Sequence, residues 1–569
     1  MRRFFCLGLA VLVAAASQPC SAQAPKSSPK VIIAHKGADK LLVDLEALIK
    51  LTNAEQQKQW KVLKGNLEVF LPGVNRTQPV RLDLVPYGAG KIEWRPSIPV
   101  SNINNFRNQN LTPAGIPTVR QASSRYKCRG NVYQGFMRHK WGYAIFAEKL
   151  AAVPLKIADP RDAIKGLLNA YDLGLKGENL ATDAGSIAER RAWVQTQAKE
   201  LLAAMKKKEG EATADYELRK LLFEQQMKEA ERFYVESSRL QIGWTMDLSK
   251  MTGRADLELA AIPGTGLAKS IEMLGEKPSY FANVPRSSES ILSMRINHPL
   301  DDMRKEHFLA AFKAIRDAQV ERLKASKTMT DKQRKAGTKI ADMVVHLLAA
   351  NVDKGIFDAF AEVRMNAAGK KTSVAALQTV DGASALDILK LVPETGKAAK
   401  LSLDVAKQGE VRIHRIIVNL ADDSPFRMLM GGDEILVGTS KDVTWFACGS
   451  DAMNELTTAI KQTSAKVEPR PAPFVDLFVR LRPWLEIRDK SAGKKGKPDL
   501  RKLALDALKN GKDGLSARLV RKGDKVVGEM NVESDVLRVV GAMMAKFSFE
   551  TLDDSNKNKK KSPLKLKLR

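Results

Sequence analysis

Apolar and polar residues alternate in short segments along this chain, and this period predicts β-strands with one buried face. Pairs of such segments are joined by a tight turn and are followed by a stretch with helical spacing of apolar residues. This strand-turn-strand-helix pattern occurs at residues 240–274, 360–391 and 516–544. Its recurrence at separated places indicates an internal duplication.

Longer segments also correspond in the same order. The strand-like segment 141–146 resembles 443–447, and the segments that follow them, 160–168 and 472–479, also resemble each other. Each series then leads to its own strand-turn-strand-helix pattern. The shared order predicts two homologous halves.

The predicted fold class is therefore α+β, with homologous halves at 31–284 and 285–552, built from antiparallel strand-turn-strand-helix units. Apolar residues at helical spacing predict a long helical hairpin inserted into each half, at about 184–236 and about 301–350. The apolar stripes of these helices could bind a partner protein or lipid. Packing against the sheet is the commoner role of such stripes.

Residues 1–24 have the features of a cleavable signal peptide. Two arginines precede an apolar run at 4–16, and small residues at Ala22 and Ala24 fit a cleavage site. After a short linker at 25–30, we expect a mature protein located in the periplasm, the cell envelope or outside the cell. The apolar run is shorter than the roughly 20 residues of a membrane-spanning helix, so the sequence predicts no transmembrane segment.

Two further segments have the composition of unfolded connectors. Residues 467–473 form a Pro-rich linker, and residues 553–569 form a basic tail. The cations of this tail could hold an anionic polymer, although a disordered solubilising tail is the commoner outcome. The candidate polyanion-binding residues of the tail are Lys557, Lys559, Lys560, Lys561, Lys565, Lys567 and Arg569.

The balance of charge narrows the range of partners. The 569 residues include 93 Lys and Arg against 65 Asp and Glu, a formal net charge of +28. Such a charge favours an anionic cell-wall polymer, an acidic protein or an anionic lipid surface. The charges are interpreted as spread along the whole chain, so a generally basic host proteome is an equal alternative. No motif for sequence-specific nucleic-acid binding is found.

Two cysteines remain once the signal peptide is removed, Cys128 and Cys448. They could form one disulfide in an oxidising compartment. Two separate buried thiols are the alternative, since a free cysteine is readily buried.

The chain contains no motif that predicts catalysis. Gly-x-Ser-x-Gly and His-Glu-x-x-His are absent, and the segment 88–91 lacks the first glycine and the Ser or Thr of a phosphate-binding loop. His298, Asp301, Asp302 and His307 could ligate zinc, but helix capping by the aspartates beside exposed histidines is the favoured interpretation. The sequence therefore predicts no catalytic residue, no cofactor and no metal site.

The signal peptide, the duplicated halves, the charged helical hairpin and the basic tail together resemble a group of secreted bacterial proteins frequent in planctomycete-type genomes. The segments that carry the resemblance are 436–440, before a short strand and helix, and 240–261, which closes a half. The resemblance implies export and duplicated α+β halves. It implies no catalytic role, because the group has no established activity.

Three hypotheses for function follow. The leading one is a non-enzymatic exported protein that presents a basic surface to an anionic polymer or protein. The second is a periplasmic carrier of lipid or another apolar ligand, which needs an apolar cavity between sheet and helices. The third is an enzyme whose site no general motif reveals, which needs convergent polar groups with perturbed pKa values in one cleft.

Overall fold

A computed structural model describes most of the chain from Lys30 to Asn558. The described residues are 30–69, 71–87, 91–153, 155–355, 357–396, 398–418, 427, 430–463, 473–486 and 500–558. The predicted signal peptide, nearly all of the linkers at 25–30 and 467–473, and the tail from residue 559 lie outside them.

The described residues form twenty strands, and their alternating sequences pair edge to edge as the pattern predicts. In the first part of the chain the strands are β1 (Lys30–His35), β2 (Val80–Tyr87), β3 (Lys91–Pro99), β4 (Thr118–Ala122), β5 (Arg125–Arg129), β6 (Gln134–Lys140), β7 (Tyr143–Ala147), β8 (Leu173–Glu178), β9 (Ser237–Asp247) and β10 (Thr252–Ala261). In the second part they are β11 (Ser290–Asn297), β12 (Asp358–Met365), β13 (Lys371–Gln378), β14 (Ala398–Gln408), β15 (Val411–Val418), β16 (Glu434–Thr439), β17 (Val443–Gly449), β18 (Val475–Arg480), β19 (Gly514–Lys522) and β20 (Lys525–Val532).

Helices connect the strands at matching places in the two parts of the chain. The first part has α1 (Ala38–Lys50), α2 (Ala54–Glu68), α3 (Ile103–Asn105) continued by a π-helix (Phe106–Leu111), a 3₁₀ turn (Leu150–Ala152), α4 (Lys165–Ala170), α5 (Ala184–Ala204), α6 (Thr213–Glu236) and α7 (Gly266–Met273). The second has α8 (Asp302–Ala325), α9 (Asp331–Asp353), α10 (Ser384–Leu391) followed by a 3₁₀ turn (Val392–Thr395), α11 (Ala452–Thr463), α12 (Arg482–Glu486), α13 (Leu500–Ala507) and α14 (Ser534–Asn558).

All twenty strands of the described residues belong to one antiparallel sheet. Their spatial order is β4-β5-β6-β7-β3-β2-β1-β8-β9-β10-β20-β19-β18-β11-β12-β13-β17-β16-β15-β14. The large antiparallel sheet with its helices confirms the predicted α+β class.

The order of the strands is the same when it is followed outward from the centre in either direction. β10 and β20 pair at the centre. Outward from β10 come β9, β8, β1, β2, β3, β7, β6, β5 and β4, and outward from β20 come the strands with these numbers plus ten. Asp256 of β10 lies directly opposite Glu529 of β20. The order of pairing from β10 to β4 therefore repeats the order from β20 to β14.

Two details of the sequence interpretation are wrong. Segment 160–168 does not correspond to 472–479, because the first enters helix α4 whereas the second contains strand β18. The pairings instead make β8 the counterpart of β18. The last helix also continues to Asn558, so the predicted tail begins as helix, since no glycine or proline stands between Gly541 and Pro563 to end it.

Helices of the two halves interlock across the centre. α14 of the second half packs on α1 and α2 of the first, and α6 of the first packs on α8 of the second. Gly541 of α14 allows close contact, because a Cβ there would lie 2.4 Å from the carbonyl oxygen of Leu48. Arg538 of the same helix donates from Nε to the carbonyl oxygen of Leu51 at 2.7 Å.

The four long helices α5, α6, α8 and α9 lie side by side in one layer. Glu321 of α8 accepts a hydrogen bond from the amide of Ala214 in α6 at 3.0 Å, and Arg304 of α8 pairs with Glu229 of α6 at 2.8 Å. These contacts show that α6 and α8 run antiparallel. Among the described residues, no helix combines the length and apolar character needed to cross a membrane.

Both faces of the sheet carry core clusters. On one, the α7 face, Leu259 of β10 packs with Leu267 and Ile271 of α7. On the other, the α11 face, Trp445 of β17 packs with Leu456 of α11, and both side chains are fully buried. Successive side chains of each strand point to opposite faces of the sheet, so alternate residues of a strand belong to the same face.

Candidate functional site

The first half concentrates positive charge on its outer strands. Residues 102–147, which run from α3 to β7, contain seven Lys and Arg and no Asp or Glu. Among the described residues none of these seven joins an ion pair, and the neighbouring pairs in sequence are Arg95–Glu93 and Arg161–Asp159. The seven cations are Arg107, Arg120, Arg125, Lys127, Arg129, Arg138 and Lys140.

Five of these cations lie on the α11 face of the sheet. Arg125, Lys127 and Arg129 are alternate residues of β5, and Arg138 and Lys140 are alternate residues of β6. The register places Arg125 directly opposite Arg138. We call these five residues the basic strand face.

Arg138 is a buried cation without a carboxylate partner in the described part of the chain. Its side chain is only 3% exposed, and its Nε donates to the carbonyl oxygen of Val153 at 3.1 Å. Burial, and then the nearby charge of Arg125, lower the pKa of the Arg138 guanidinium. A buried unpaired cation opposite a like charge is unfavourable for folding. Such arrangements are concentrated at functional sites.

The rest of the basic strand face is open to solvent. Arg129 is exposed, and Arg125, Lys127 and Lys140 are half-buried. Lys127 and Arg129 can therefore meet a ligand without a change in the strands, whereas the Nζ of Lys140 already donates to the carbonyl oxygen of Leu155 at 3.1 Å. Lys140 also lies over the ring of Trp141, with Nζ 5.1 Å from the centroid.

The same strands of the second half carry a different surface. In the second half, Gly438 of β16 lies opposite Trp445 of β17. The corresponding pair in the first half is Arg138 of β6 opposite Ile145 of β7. On the other side of Gly438 lies Ile413 of β15, and the residue at the corresponding position in the first half is Arg125. An apolar surface in the second half thus matches a charged one in the first.

A helix covers this apolar surface. α11 packs its buried Leu456 and Ile460 in one cluster with Ile413 and Trp445. The equivalent connection of the first half has only the 3₁₀ turn Leu150–Ala152 directly after β7. Arg415, two residues after Ile413 on β15, is the cation on the same face of the second half, and it forms an ion pair with Glu434 at 3.0 Å. In the first half the segment after β7 lies on this face instead, with Val153 packed against Ile145 and bonded to Arg138, and the charged Arg129 stays exposed beside it.

Charged groups line two of the clefts in the described surface. The larger, of about 350 Å³, lies between the halves and includes Arg191, Glu231, Arg232 and Glu236 in its lining. The smaller, of about 270 Å³, includes Arg161, Asp162 and Lys165 together with Ile164 and Leu168. Charged side chains thus contribute to the lining of both clefts, whereas a site for an apolar ligand is lined mainly by hydrophobic and aromatic side chains.

An ion pair beside the larger cleft joins the two halves, and a network within the first half surrounds it. Arg232 of α6 donates to Asp301 at 2.8 Å and also bonds the carbonyl oxygen of Gly266. Arg191 pairs with Glu236 at 2.7 Å, and Glu236 accepts from the amide of Leu267 at 2.7 Å. Burial raises the pKa of Glu231 in this cleft, although Arg191 lies 3.3 Å away. These groups are engaged with one another, which fits a structural clasp between the halves.

The aspartates considered as zinc ligands cap a helix. Asp301 is the N-cap of α8 and accepts from the amide of Arg304 at 3.0 Å, as predicted, and Asp302 projects into solvent. In the described part of the chain, no three His, Cys, Asp or Glu side chains are arranged to hold a metal ion.

The exposure expected for the two histidines is wrong. His307 is buried, because the α6–α8 contact covers this turn of the helix, and its carbonyl oxygen accepts from Gln225 of α6 at 2.8 Å. His298 stacks edge-on with Phe474, and burial lowers its pKa to about 4. Neither ring is a free ligand at the surface.

The two cysteines are separate free thiols in the structure. Cys128 lies in the cluster with Tyr126 and Met137, whereas Cys448 points to the carbonyl oxygen of Gly432 at 3.4 Å. Burial raises the pKa of each thiol to about 11. The disulfide considered from sequence is therefore not formed here, and the alternative of two buried thiols is the one observed.

The candidate tail cations cannot be placed. Lys557 belongs to the last turn of α14, and its side chain lies outside the described residues, as do the six cations from Lys559 to Arg569. The basic strand face, in contrast, was missed from the sequence. The charge was interpreted as evenly spread, whereas a local count over residues 102–147 shows its concentration.

No protein-family model, no curated protein and no solved structure matches this chain. The resemblance to secreted planctomycete-type proteins stays a prediction.

Proposed function

We propose that this protein is an exported, non-enzymatic binding protein whose basic strand face engages an anionic polymer. The observation that carries the proposal is a set of seven cations with no acidic residue among residues 102–147. Closely spaced cations on a rigid strand surface bind polyanions chiefly by releasing counterions. The open position of Lys127 and Arg129 gives such a ligand direct access.

The halves arose, in this proposal, by duplication of one ten-stranded unit. The identical strand order and the central pairing of Asp256 with Glu529 support that origin. One copy kept its face covered by α11, while the other exchanged the apolar residues for Arg125 and Arg138. The difference between the copies indicates that the charge of the first serves a ligand, since the fold does not need it.

The test is the salt dependence of polyanion binding by the mature chain. We choose heparin as the probe and compare the wild type with the double variant Lys127→Gln/Arg129→Gln. Each lost contact should reduce the slope of log affinity against log salt by about 0.7–0.9, so the variant, which loses two, should lose roughly 1.4–1.8 from the slope. Its affinity at low salt should fall accordingly.

The second half supplies a matched control. Lys407 and Arg412 are exposed cations that face each other on β14 and β15. The variant Lys407→Gln/Arg412→Gln removes the same charge from the outer strands and should leave the slope unchanged. Equal losses in both variants would mean that only net charge matters, and the proposal would fail.

A third arm separates the strand face from the tail. Deletion of residues 559–569 removes six of the candidate tail cations. If this deletion abolishes heparin binding while Lys127→Gln/Arg129→Gln does not alter it, the binding site is the tail. If the truncated chain keeps the strand-dependent slope, the basic strand face is the site.

A further inference from the structure

The turn between β6 and β7 presents a half-exposed tryptophan. Trp141 and Gly142 both have left-handed backbone conformations, with φ angles of 57° and 75°. Glycine, asparagine or aspartate normally occupies such positions, because a side chain with a Cβ is strained there. The Trp141 side chain is nevertheless 50% exposed, so burial in a core does not explain it.

Neighbouring contacts fix this indole in place. Its Nε1 donates to the carbonyl oxygen of Ile157 at 2.8 Å, and Lys140 donates from Nζ to the carbonyl oxygen of Leu155 at 3.1 Å. The two bonds fasten the segment 155–157 beside the turn. Leu155, in the same segment, is 73% exposed. An exposed aromatic ring and an exposed aliphatic side chain thus lie on two segments that are hydrogen-bonded to each other.

Cations surround this apolar pair. Lys140 lies over the indole, Lys156 is exposed beside Leu155, and Arg125 is near, since the amide of His139 bonds the carbonyl of Ser124 at 2.8 Å. The acidic Asp159 is neutralised by Arg161 at 2.5 Å. Glu148 and Asp162, both exposed in the same connection, are carboxylates nearby in sequence that have no ion pair among the described residues.

We propose that Trp141 and Leu155 form a lipid-contacting tip, which places the protein on the surface of an anionic membrane. Tryptophan with exposed aliphatic and basic neighbours suits the bilayer interface, where the ring enters the headgroup region and the cations meet anionic lipids. A sugar polymer would use the ring face but gain little from Leu155, so lipid is the partner that the pair favours. The electrostatic part of this inference rests on the proposed function, whereas the apolar part does not.

The experiment is flotation of the mature protein with vesicles of phosphatidylcholine, with and without phosphatidylglycerol. The variant Trp141→Asn/Leu155→Ser keeps a residue suited to the left-handed turn, so it should fold normally. We expect it to bind phosphatidylglycerol vesicles about tenfold more weakly than the wild type, with heparin affinity unchanged. The wild type should bind vesicles of phosphatidylcholine alone much less.

Trp94 provides the matched control. It is 56% exposed but lies on β3 with its side chain on the α7 face, away from the basic strand face. Trp94→Thr should leave vesicle binding intact. Equal vesicle binding by wild type and Trp141→Asn/Leu155→Ser would overturn the inference. A loss of heparin affinity without a loss of vesicle binding would also overturn it, since the ring would then serve a sugar polymer.

Discussion

Removal of the Asp301 carboxylate tests whether the cleft between the halves is a structural clasp. Asp301 caps α8 and pairs with Arg232, and both side chains are largely buried, at 14% and 8% exposed. Loss of an N-cap costs about 1 kcal/mol, and leaving a buried cation without its partner costs about 3–5 kcal/mol. The lower end of this second range applies because Arg232 keeps its hydrogen bond to the carbonyl oxygen of Gly266. Asp301→Ala should therefore lower the free energy of unfolding by about 3–4 kcal/mol.

Urea unfolding followed by tryptophan fluorescence and by circular dichroism measures this change. Asp301→Asn keeps a good cap but removes the charge, so it should be less destabilising than alanine by about 1 kcal/mol. Asp302→Ala removes the same charge one residue further on, where the side chain is fully exposed, and should change the unfolding curve little. The clasp would be refuted if Asp301→Ala unfolded at the same urea concentration as Asp302→Ala.

Two further predictions concern the buried carboxyl of Asp358 and the contact between the halves. Burial raises the pKa of Asp358 to about 6 from 3.8, so its contribution to stability is present below about pH 4 and is lost as pH rises through 6. Between these values the loss should reach up to about 3 kcal/mol, and Asp358→Asn should abolish this part of the pH dependence of the urea midpoint. A wild type whose midpoint does not fall across this range relative to that of Asp358→Asn would contradict it. Gly541→Ala should cost about 1–3 kcal/mol because its Cβ meets Leu48. Gly65→Ala, on α2 with no atom near its Cβ, should instead stabilise by about 0.5–1 kcal/mol; matching thermal shifts in the two variants would refute the close contact.

Local periodicity was enough to predict the class of the fold. Alternation in segments such as 240–248 depends on residues close in sequence, and the structure has a strand there. The pairing of β10 with β20 joins residues more than 260 positions apart, as Asp256 and Glu529 show. No local pattern encodes such a pairing, so the continuity of the sheet could not be predicted.

The candidate site was missed for a different reason. Composition averaged over 569 residues hides a run of 46 residues, 102–147, without an acidic side chain. A count of charge in a sliding window would have found this run. The structure was needed to show that Arg125 and Arg138 face each other, because that fact depends on the register of β5 and β6.

Hydrogen–deuterium exchange of the mature protein, with and without heparin, tests the central claim most directly. The account predicts that heparin slows exchange in β5 and β6, residues 125–129 and 134–140, and leaves the equivalent strands β15 and β16 unchanged. Protection confined to the second half or to the tail beyond residue 558 would contradict it. In that case the basic strand face would not be the binding surface.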